Sequence, residues 1–372
     1  AVDDCDLVAA LHRVLGDVGG LTGIELVDQT APQERDRAVV ALVEERTRTE
    51  VAAIRANLLD REARNLRRGF ENLAVVRLGD LEQLGLGVET VKGTGYRVAG
   101  GIELLRADKI LSMLSPAARA LCSGLEIFDT IDSTNRYARE MLSGEAASGK
   151  VILVEQQSAG RGRRGKTWIS PFAANIYLTI RWDFERGAQA LEGLSLAVGV
   201  AVKRALASQG LEGVQLKWPN DIYVTGKKLG GILLEMVGDP AGACSVIVGV
   251  GVNVKMPPEQ GRRINQDWTD VEAVLMSQNM PRRAVRSELV AKLVSEITVV
   301  LSDYQEKGFA AYRDEWQAAD AFYGLRAAII TPKETITGLV RGVDVNGALC
   351  LECSDGRVET FIGGELSLRV QE

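Results

Sequence analysis

Histidine is almost absent from this chain, which has one histidine, His12, in 372 residues. A serine-histidine-aspartate triad and a histidine-rich metal site both need imidazole groups, so neither has the side chains it requires. His12 also lies far in sequence from every motif described below. We therefore expect catalysis by positioning and by cations aimed at developing negative charge.

Cysteines and long apolar runs are also few. Five cysteines, an odd number in a long acidic chain, favour reduced thiols, and Cys350-x-x-Cys353 lacks the second pair typical of a zinc site. No apolar run reaches membrane-spanning length, and the chain begins Ala1-Val2-Asp3-Asp4, without the basic and apolar regions of a signal peptide. We expect a soluble, cytoplasmic protein with no membrane partner and no metal held by its side chains.

An excess of positive charge is lacking too, because the formal net charge is −6. This charge disfavours general nucleic-acid binding and leaves room for a small DNA-reading domain. With 372 residues, 46% of them apolar, the chain can bury a full core and should form two or three domains.

The most informative segment is a glycine-rich loop at residues 160–168, directly after the apolar run 151–154. Its glycines let backbone N–H groups approach an anion closely, and Trp168 offers a flat face on which a purine could stack. Its charge-assisted donors are Arg161, Arg163, Arg164 and Lys166. We interpret this loop as the nucleotide-handling part of an enzyme.

Two other interpretations of the loop compete. The residues Gly160-x-x-x-x-Gly165-Lys166-Thr167 satisfy the formal Walker A pattern, which requires a helix running on from Lys-Thr. Pro171 follows too soon for that helix, and the next apolar stretch, 176–182, alternates like a strand. A solvated basic loop with no ligand is the second alternative.

Two more segments carry polar groups at strand or helix ends. Lys217-Trp218-Pro219-Asn220-Asp221 ends the apolar run 214–216 and precedes a predicted hairpin. A lysine there is commonly a surface charge, but a half-buried ammonium is also a good partner for a carboxylate or phosphate oxygen. Asp132-Ser133-Thr134-Asn135 precedes a predicted helix, and by itself it is typical of an N-cap.

Together these segments resemble the biotin protein ligases, and among them the bacterial group that also represses the biotin operon. The resemblance covers about residues 88–372. The matching segments are Asp132-Ser133-Thr134-Asn135, Gln157-Ser158-Ala159-Gly160-Arg161-Gly162-Arg163-Arg164-Gly165, Trp168 with Ser170-Pro171, Asn175-Ile176-Tyr177, Lys217-Trp218-Pro219-Asn220-Asp221, Lys228-Leu229-Gly230-Gly231-Ile232-Leu233, Gly249-Val250-Gly251-Val252-Asn253-Val254, Arg341-Gly342-Val343-Asp344 and Gly363-Gly364-Glu365.

The resemblance implies a two-step ligation. The carboxylate of biotin attacks the α-phosphate of ATP to give biotinyl-5'-adenylate, and a lysine of a biotin carboxyl carrier protein then attacks that mixed anhydride. ATP is expected to enter with Mg²⁺ held mainly by phosphates and waters. A homodimer when the adenylate is bound, and contact with operator DNA, are further implied expectations.

The resemblance also assigns roles to residues. Lys217, Arg161 and Arg163 are the expected catalytic residues, and Trp168 matches a tryptophan that covers the adenine. The expected biotin-binding residues are Ser133, Thr134, Asn135, Gln157, Arg161, Gly162, Arg163 and Lys217. The expected ATP- or adenylate-binding residues are Arg163, Arg164, Lys166, Trp168 and Asn220.

Periodicity divides the chain into three regions. Residues 101–322 alternate strand-like and helical patterns and predict an α/β (α+β) catalytic domain with a mixed sheet. Residues 323–372 contain short runs separated by Asn346-Gly347 and Asp355-Gly356, which predict hairpins of a small β-barrel. The family counterpart of that barrel is SH3-like. Gly249-Val250-Gly251 is interpreted as close strand packing near the ligand, because no glycine-rich helix start follows.

The N-terminal region, residues 1–100, matches the family least. Residues 88–98 match the wing hairpin of a winged helix-turn-helix, and their charge suits a phosphate contact. No tight helix-turn-helix is evident upstream, where residues 34–68 predict a long, charged helical stretch instead.

Three function classes therefore remain open: a biotin-transferring enzyme, a lipoate- or octanoate-type ligase of the same fold, and a protein that is mainly a DNA-binding regulator. The glycine- and arginine-rich loop favours the first, since the lipoate-type relatives are expected to lack it in this form.

Overall fold

The computed structural model describes residues 102–141, 148–185, 187, 191–239, 241–280, 285–330 and 334–362, and the backbone of six strands outside those ranges. The chain divides into two compact units. One contains residues 1–104 with Pro171–Ala174 and Pro257–Gln260, and the other contains Leu105–Ser170, Asn175–Met256 and Gly261–Glu372.

The first unit contains five described strands: β1 (Ile24–Glu25), β2 (Val39–Val43), β3 (Val75–Arg77), β4 (Val88–Val91) and β5 (Gly95–Val98). Strand β2 pairs antiparallel with β1 and parallel with β3. The β4–β5 hairpin confirms the hairpin predicted at residues 88–98.

Strand β2 corrects the predicted N-terminal helix, because it lies inside residues 34–68. Its sequence, Val-Val-Ala-Leu-Val, is rich in β-branched residues, which lose χ1 freedom in a helix and pack well on a pleated surface. The prediction weighted the charge mixing of the whole stretch above this local apolar run. The rest of 34–68 and the region where a helix-turn-helix was sought lie outside the described residues.

The second unit alternates helices and strands up to residue 318. Its elements in chain order are α1 (Ala107–Met113), α2 (Pro116–Leu121), β6 (Gly124–Ile131), α3 (Thr134–Glu140), β7 (Lys150–Gln157), β8 (Ile176–Phe184), α4 (Leu194–Ser208), β9 (Val214–Lys217), β10 (Asp221–Val224), β11 (Lys227–Gly238), β12 (Cys244–Val252), α5 (Pro258–Gly261, shared with the first unit), α6 (Val271–Ser277), α7 (Arg286–Lys307) and α8 (Arg313–Ala318).

These strands form a seven-stranded sheet in the order β6-β7-β8-β12-β11-β10-β9. The β6–β7 pair is parallel, and the other pairs are antiparallel. The predicted α/β domain with a mixed sheet is therefore confirmed. Because the polypeptide enters or leaves the sheet at Gln157, Lys217 and Asp221, several motif residues lie at strand ends.

Helices α4 and α7 form the core layer that covers this sheet. Ten residues of α4 are buried, and several are alanine, valine or glycine, so the helix can approach the strands closely. A Cβ at Gly199 would lie 3.5 Å from Leu216 of β9, within ordinary contact distance. The apolar residues of α7 recur at helical spacing and bury one side of the helix, and Val290, Val294 and Leu301 are fully enclosed.

The C-terminal part forms a five-stranded antiparallel sheet in the order β16-β15-β14-β13-β17. Its strands are β13 (Arg326–Ile330), β14 (Thr335–Val343), β15 (Leu349–Glu352), β16 (Val358–Phe361) and β17 (Ser367–Val370). The predicted turns are present, with positive φ at Gly347 (87°) and Gly356 (83°). The Gly363-Gly364-Glu365 motif lies outside the described residues.

Two further findings concern the described residues. Cys350 and Cys353 are free thiols, and the described residues contain no cluster of three or more metal-ligating side chains. No helix among the described residues has both the length and the apolar character needed to cross a membrane.

Candidate active site

The glycine-rich loop is a closed turn between β7 and β8. Trp168 N donates to Gly160 O at 2.9 Å, and Gly162 N donates to Lys166 O at 2.7 Å, so the two arms of the loop pair. A Cβ at Gly160 would lie 2.4 Å from Trp168 O, so this closure requires glycine. The loop is thus held in a shape that projects its cationic side chains outward.

The tip of the loop is a short 3-10 turn at Arg163–Gly165, in which Arg164 has a φ of 58°. No helix follows Lys166 and Thr167 among residues 148–185, and the next regular element is β8. The Walker A interpretation requires that helix. The local structure therefore agrees with its rejection from sequence.

The four cations of the loop differ in exposure. Arg164 and Lys166 are exposed. Arg161 is 46% exposed and its Nη1 lies 3.4 Å from Oε1 of Glu235, a β11 carboxylate that is 19% exposed. Arg161 therefore lies at the β11 side of the loop, beside a negative charge that sequence reasoning did not identify.

Arg163 occupies the more buried side of the loop. Its Nη1 donates to Asn220 Oδ1 at 3.2 Å, and Asn220 Nδ2 donates to the carbonyl of Ile232 at 2.6 Å. Burial lowers the pKa of Arg163, the neighbouring Arg164 lowers it further, and Asp221 opposes both effects. The partly desolvated guanidinium is consequently a strong site for an added anion.

Trp168 lies on a floor made by two glycines that face each other across β11 and β12, Gly231 and Gly251. A Cβ at Gly251 would lie 2.6 Å from Trp168 Cε2, so a larger residue would displace the indole. The interpretation of Gly249-Val250-Gly251 as close packing agrees with this contact. The Trp168 Nε1–H is buried, and among the described residues it has no hydrogen-bond acceptor.

A second cation, Lys228, borders the same floor. Its Nζ lies 5.6 Å from the Trp168 ring centroid and 2.7 Å from Asp221 Oδ1. The Lys228 and Asp221 side chains are only 15% and 18% exposed. Both residues lie inside motifs quoted above, but their pairing needed the β10–β11 register to be seen.

The candidate biotin residues gather where β7 ends and α3 begins. Ser133 caps α3 by accepting from Arg136 N, as the N-cap interpretation expected. Gln157 Oε1 accepts from Thr134 N at 3.0 Å, and Gln157 Nε2 donates to Ser170 Oγ at 3.1 Å. Ser133 and Thr134 are buried, so this network joins the cap of the helix to the glycine-rich loop.

Asn135 is fixed on the sheet by hydrogen bonds within the protein. Its Nδ2 donates to Leu233 O at 3.2 Å and to Glu235 Oε2 at 2.9 Å, while its Oδ1 accepts from Thr179 Oγ1 at 2.7 Å. A Cβ at Gly249 would lie 2.2 Å from Asn135 Oδ1. These bonds hold Asn135 against the sheet, where it can support its neighbours in the site. Thr179, a polar residue inside the apolar run of β8, could have indicated a buried polar partner such as Asn135.

An open cleft of about 720 Å³ lies beside this network. Ser133 and Arg161 both line it, so it connects the α3 cap to the start of the glycine-rich loop. Its other lining residues are Asp132, Arg136, Arg139, Glu140 and Ala159. The cleft has room for a small polar molecule at the position where sequence predicted biotin-binding residues.

Lys217 is the last residue of β9 and is half-buried. Its Nζ lies 3.3 Å from Tyr223 Oη. Lys217 pairs in register with Asp221, which follows Asn220. Asn220, the residue that accepts a hydrogen bond from Arg163, therefore lies at the same strand end as Lys217. The neighbouring Trp218 is buried, and its Nε1 donates to Gly347 O at 3.1 Å, which anchors the strand end to the C-terminal sheet.

A buried ion pair braces the strand that leads to the loop. Glu155 of β7 and Arg286 of α7 are 2% and 4% exposed, and Glu155 Oε2 lies 2.7 Å from Arg286 Nη2. Glu155 Oε1 accepts from Leu105 N at 2.6 Å, and Arg286 also donates to Asn175 O. With its hydrogen bonds satisfied, this pair fixes the position of β7 two residues before Gln157.

The chain matches two family descriptions. Residues 127–253 match the Biotin/lipoate A/B protein ligase family, and residues 328–369 match the Biotin protein ligase C terminal domain. The two matches correspond to the mixed sheet and to the C-terminal sheet.

Named relatives and a solved structure extend this similarity. The chain is 37% identical over 292 residues to the bifunctional ligase/repressor BirA of Escherichia coli, covering 78% of this chain and 87% of that protein. It is 35% identical to the biotin--[acetyl-CoA-carboxylase] ligase of Paracoccus denitrificans, over 63% of this chain and 98% of that one. The biotin protein ligase of Aquifex aeolicus in complex with biotin and ATP superposes with a TM-score of 0.55 at 25% identity, covering 67% of this chain and all of that chain.

Proposed function

The chain belongs to the biotin protein ligase family, and from that premise we propose how its residues divide the work of joining biotin to protein. It is an ATP-dependent biotin ligase. The observation that carries the proposal is the glycine-rich loop, because Arg161 reaches the Asn135–Glu235 network on one side and Arg163 reaches the Lys217 strand end on the other.

The reaction has two steps. A carboxylate oxygen of biotin attacks the α-phosphorus of ATP, the bond to the β-phosphate oxygen breaks, and pyrophosphate leaves. The lysine amine of a biotin carboxyl carrier protein then attacks the acyl carbon of biotinyl-5'-adenylate, AMP leaves, and the amine loses a proton. Both steps place negative charge at the α-phosphate, so preorganised cations accelerate them.

Lys217 and Arg163 are the proposed cations of the first step, with Arg161. Lys217 is half-buried and fixed at a strand end, so its ammonium can meet the growing charge without reorganising much solvent. Arg163 is held from the opposite side by Asn220, which sets its guanidinium near the same strand end. Arg164 and Lys166 are exposed on the loop and would contact the outer phosphates.

The proposed biotin site is the cleft beside the α3 cap. Ser133 and Arg161 line this cleft and are candidate contacts to the polar groups of biotin. Thr134, Gln157 and the backbone at Gly162 are further candidates, since Gln157 accepts from Thr134 N next to Ser133, and Asn135 is the proposed support. Trp168 is the candidate cover for the adenine, and its unpaired Nε1–H offers a donor to a ring nitrogen.

ATP is proposed to enter as its magnesium complex. Asp221, a carboxylate near Lys217, is already paired with Lys228, and the described residues gather no carboxylate cage. Mg²⁺ keeps several waters and binds phosphate oxygens readily, so the substrate itself would supply most of its ligands.

The acceptor is proposed to be a biotin carboxyl carrier protein, because the Paracoccus denitrificans relative is named as a ligase that joins biotin to acetyl-CoA carboxylase. A second role, binding to operator DNA as a dimer when the adenylate is present, is proposed from the β4–β5 hairpin and from the ligase/repressor relatives. One small hairpin on a chain of net charge −6 offers few phosphate contacts, so a dimer with two half-sites is required.

Pyrophosphate release tests the ligase proposal. The purified chain should release pyrophosphate from ATP when biotin is added, and lipoate or octanoate at the same concentration should give much less. Equal or greater release with lipoate would assign the chain to the lipoate-type branch. For the DNA role, a gel shift that ignores biotin and ATP, or no shift at micromolar protein, would leave the chain a ligase only.

A further inference from the structure

The Lys217 ammonium lies against two aromatic rings. Its Nζ is 5.1 Å from the Tyr223 ring centroid and 5.0 Å from the Phe322 ring centroid. The two rings are themselves 6.4 Å apart at an interplanar angle of 75°. Both distances to the ammonium fall within the range at which a ring quadrupole attracts a cation.

We propose that Tyr223 and Phe322 are positioning residues that form an aromatic clamp, which holds the Lys217 ammonium in place for biotin activation. This inference rests on the function proposed above, because it concerns the same lysine. Both residues act through Lys217, and neither needs to touch the substrate.

Phe322 is placed by a segment that pairs with the lysine's own strand. Leu216, one residue before Lys217, donates its N–H to Ala319 O at 2.8 Å and accepts from Ala321 N at 2.9 Å. Phe322 N then donates to Asp320 Oδ1 at 2.9 Å. The ring is buried, so its position relative to β9 is fixed by the backbone on both sides.

Tyr223 closes the clamp from β10. It is 8% exposed, and its hydroxyl lies 3.3 Å from Lys217 Nζ. Burial, followed by the charges of Asp221 and Asp267, raises the pKa of Tyr223 to about 12. The phenol is therefore neutral at ordinary pH, and its oxygen offers the ammonium a lone pair without a formal negative charge.

The clamp adds no formal charge beside the ammonium. The carboxylate that pairs with Lys217 in register, Asp221, has its Oδ1 2.7 Å from Lys228 Nζ. A neutral ring attracts a cation without being an anion itself, so Tyr223 and Phe322 can orient the ammonium without competing with the substrate anion for it.

Phe322→Leu tests the clamp, with Phe322→Tyr as the conservative variant and Tyr323→Leu, a change at the adjacent exposed ring, as the matched control. Biotin-dependent pyrophosphate release is measured at saturating biotin and ATP across pH 6 to 10. Phe322→Leu should lower kcat about 5- to 10-fold with KM for ATP changed less than about 2-fold. Its alkaline limb should move down by roughly half to one pH unit, because an apolar side chain stabilises the charged amine less than a ring face.

Phe322→Tyr should restore both the rate and the pH profile, and Tyr323→Leu should leave both unchanged. Tyr223→Leu, which removes the other ring, should show the same lower kcat and the same shift of the alkaline limb. It therefore tests the clamp if Phe322→Leu does not fold. A loss of rate with an unmoved alkaline limb would assign Phe322 to packing only and overturn the clamp. Wild-type chain without biotin-dependent release would instead reject the proposed function.

Discussion

Two half-buried lysines lie in the candidate site, and they are held in opposite ways. Lys228 is paired with a carboxylate, Asp221, at 2.7 Å. Lys217 lies against the rings of Tyr223 and Phe322. The carboxylate cancels most of the field of Lys228, whereas the two neutral rings add no formal charge beside Lys217. A lysine held by rings is suited to act on an anionic substrate, whereas a lysine paired with a carboxylate is suited to stabilise the fold.

The same contrast extends to the two carboxylates of this region. Asp221 is paired, whereas Asp320 is buried and its Oδ2 has no hydrogen-bond partner within the part of the chain that the structure describes. Burial raises the pKa of Asp320 to about 6. Substitutions of these lysines and carboxylates should therefore change the reaction rate and the stability of the fold to different extents. Comparing the variants separates catalytic from structural roles.

Removal of Lys217 should have the largest effect. Lys217→Ala is expected to slow biotin-dependent pyrophosphate release on the order of 100-fold or more, the scale for losing one preorganised donor, with the melting temperature little changed. Lys227→Ala, a neighbouring exposed lysine, is the control and should release pyrophosphate at the wild-type rate. Wild-type release from Lys217→Ala would remove this lysine from the mechanism.

Removal of Lys228 should slow the reaction less than removal of Lys217, and a second substitution should restore part of the loss. Lys228→Met leaves Asp221 partly buried without its partner, and we expect about a 10-fold loss of rate together with a lower melting temperature. The double variant Asp221→Asn with Lys228→Met should recover part of both, because the uncompensated charge is gone. If the double variant is as poor as Lys228→Met, the pair has a direct role in the reaction.

Loss of the Glu235 charge should have a smaller effect. Glu235→Gln keeps an acceptor for Asn135 Nδ2 but removes the ion pair with the 46%-exposed Arg161, and such exposed pairs contribute about 0.2–1 kcal/mol. KM for biotin should rise about 2- to 5-fold with kcat nearly constant. Glu306→Gln, an exposed carboxylate on α7, should leave both constants unchanged. A lower kcat with unchanged KM would mean that Glu235 acts on the chemical step.

Substitution of Asp320 should change the stability of the fold rather than the reaction rate. Its folded pKa of about 6 exceeds the ordinary value of 3.8, so its charge destabilises the fold above pH 6, and this cost disappears as pH falls toward 4. Asp320→Asn should therefore raise the melting temperature by about 2–4 °C at pH 8, on the order of 1 kcal/mol, and by less at pH 5. Asp314→Asn, at a fully exposed carboxylate, should show no such difference. A gain that is independent of pH would contradict the assignment.

The sequence predicted the strands of the catalytic domain well because each is a run of apolar residues between turn residues. The predicted runs 151–154 and 176–182 lie within β7 and β8, and the Asp355-Gly356 turn is at the expected position. Strand β6 was missed, since its polar and apolar residues mix and its side chains are mostly half-buried. The prediction at residues 34–68 was wrong at β2 for the reason given above.

The partners of the site residues could not be predicted, because strand register decides them. Glu235 meets Arg161 across 74 residues of sequence, and Phe322, at the end of the predicted catalytic domain, meets Lys217, which lies near the middle of that domain. The glycines of β12 were a partial signal of close packing, because the lack of a side chain at Gly249 and Gly251 leaves room for Asn135 and Trp168. No local pattern distinguishes Phe322 from Tyr323, although one is buried and the other exposed.

Transfer of biotin to a carrier protein is the most direct test of the account. A purified biotin carboxyl carrier domain is incubated with the chain, biotin and ATP, and its intact mass is measured. The account predicts a gain of one biotin less one water, on the acceptor lysine, that requires ATP and that Lys217→Ala slows on the order of 100-fold or more when the mass is followed over time. An unchanged carrier mass with folded wild-type chain, or the same gain at the same rate with Lys217→Ala, would contradict it.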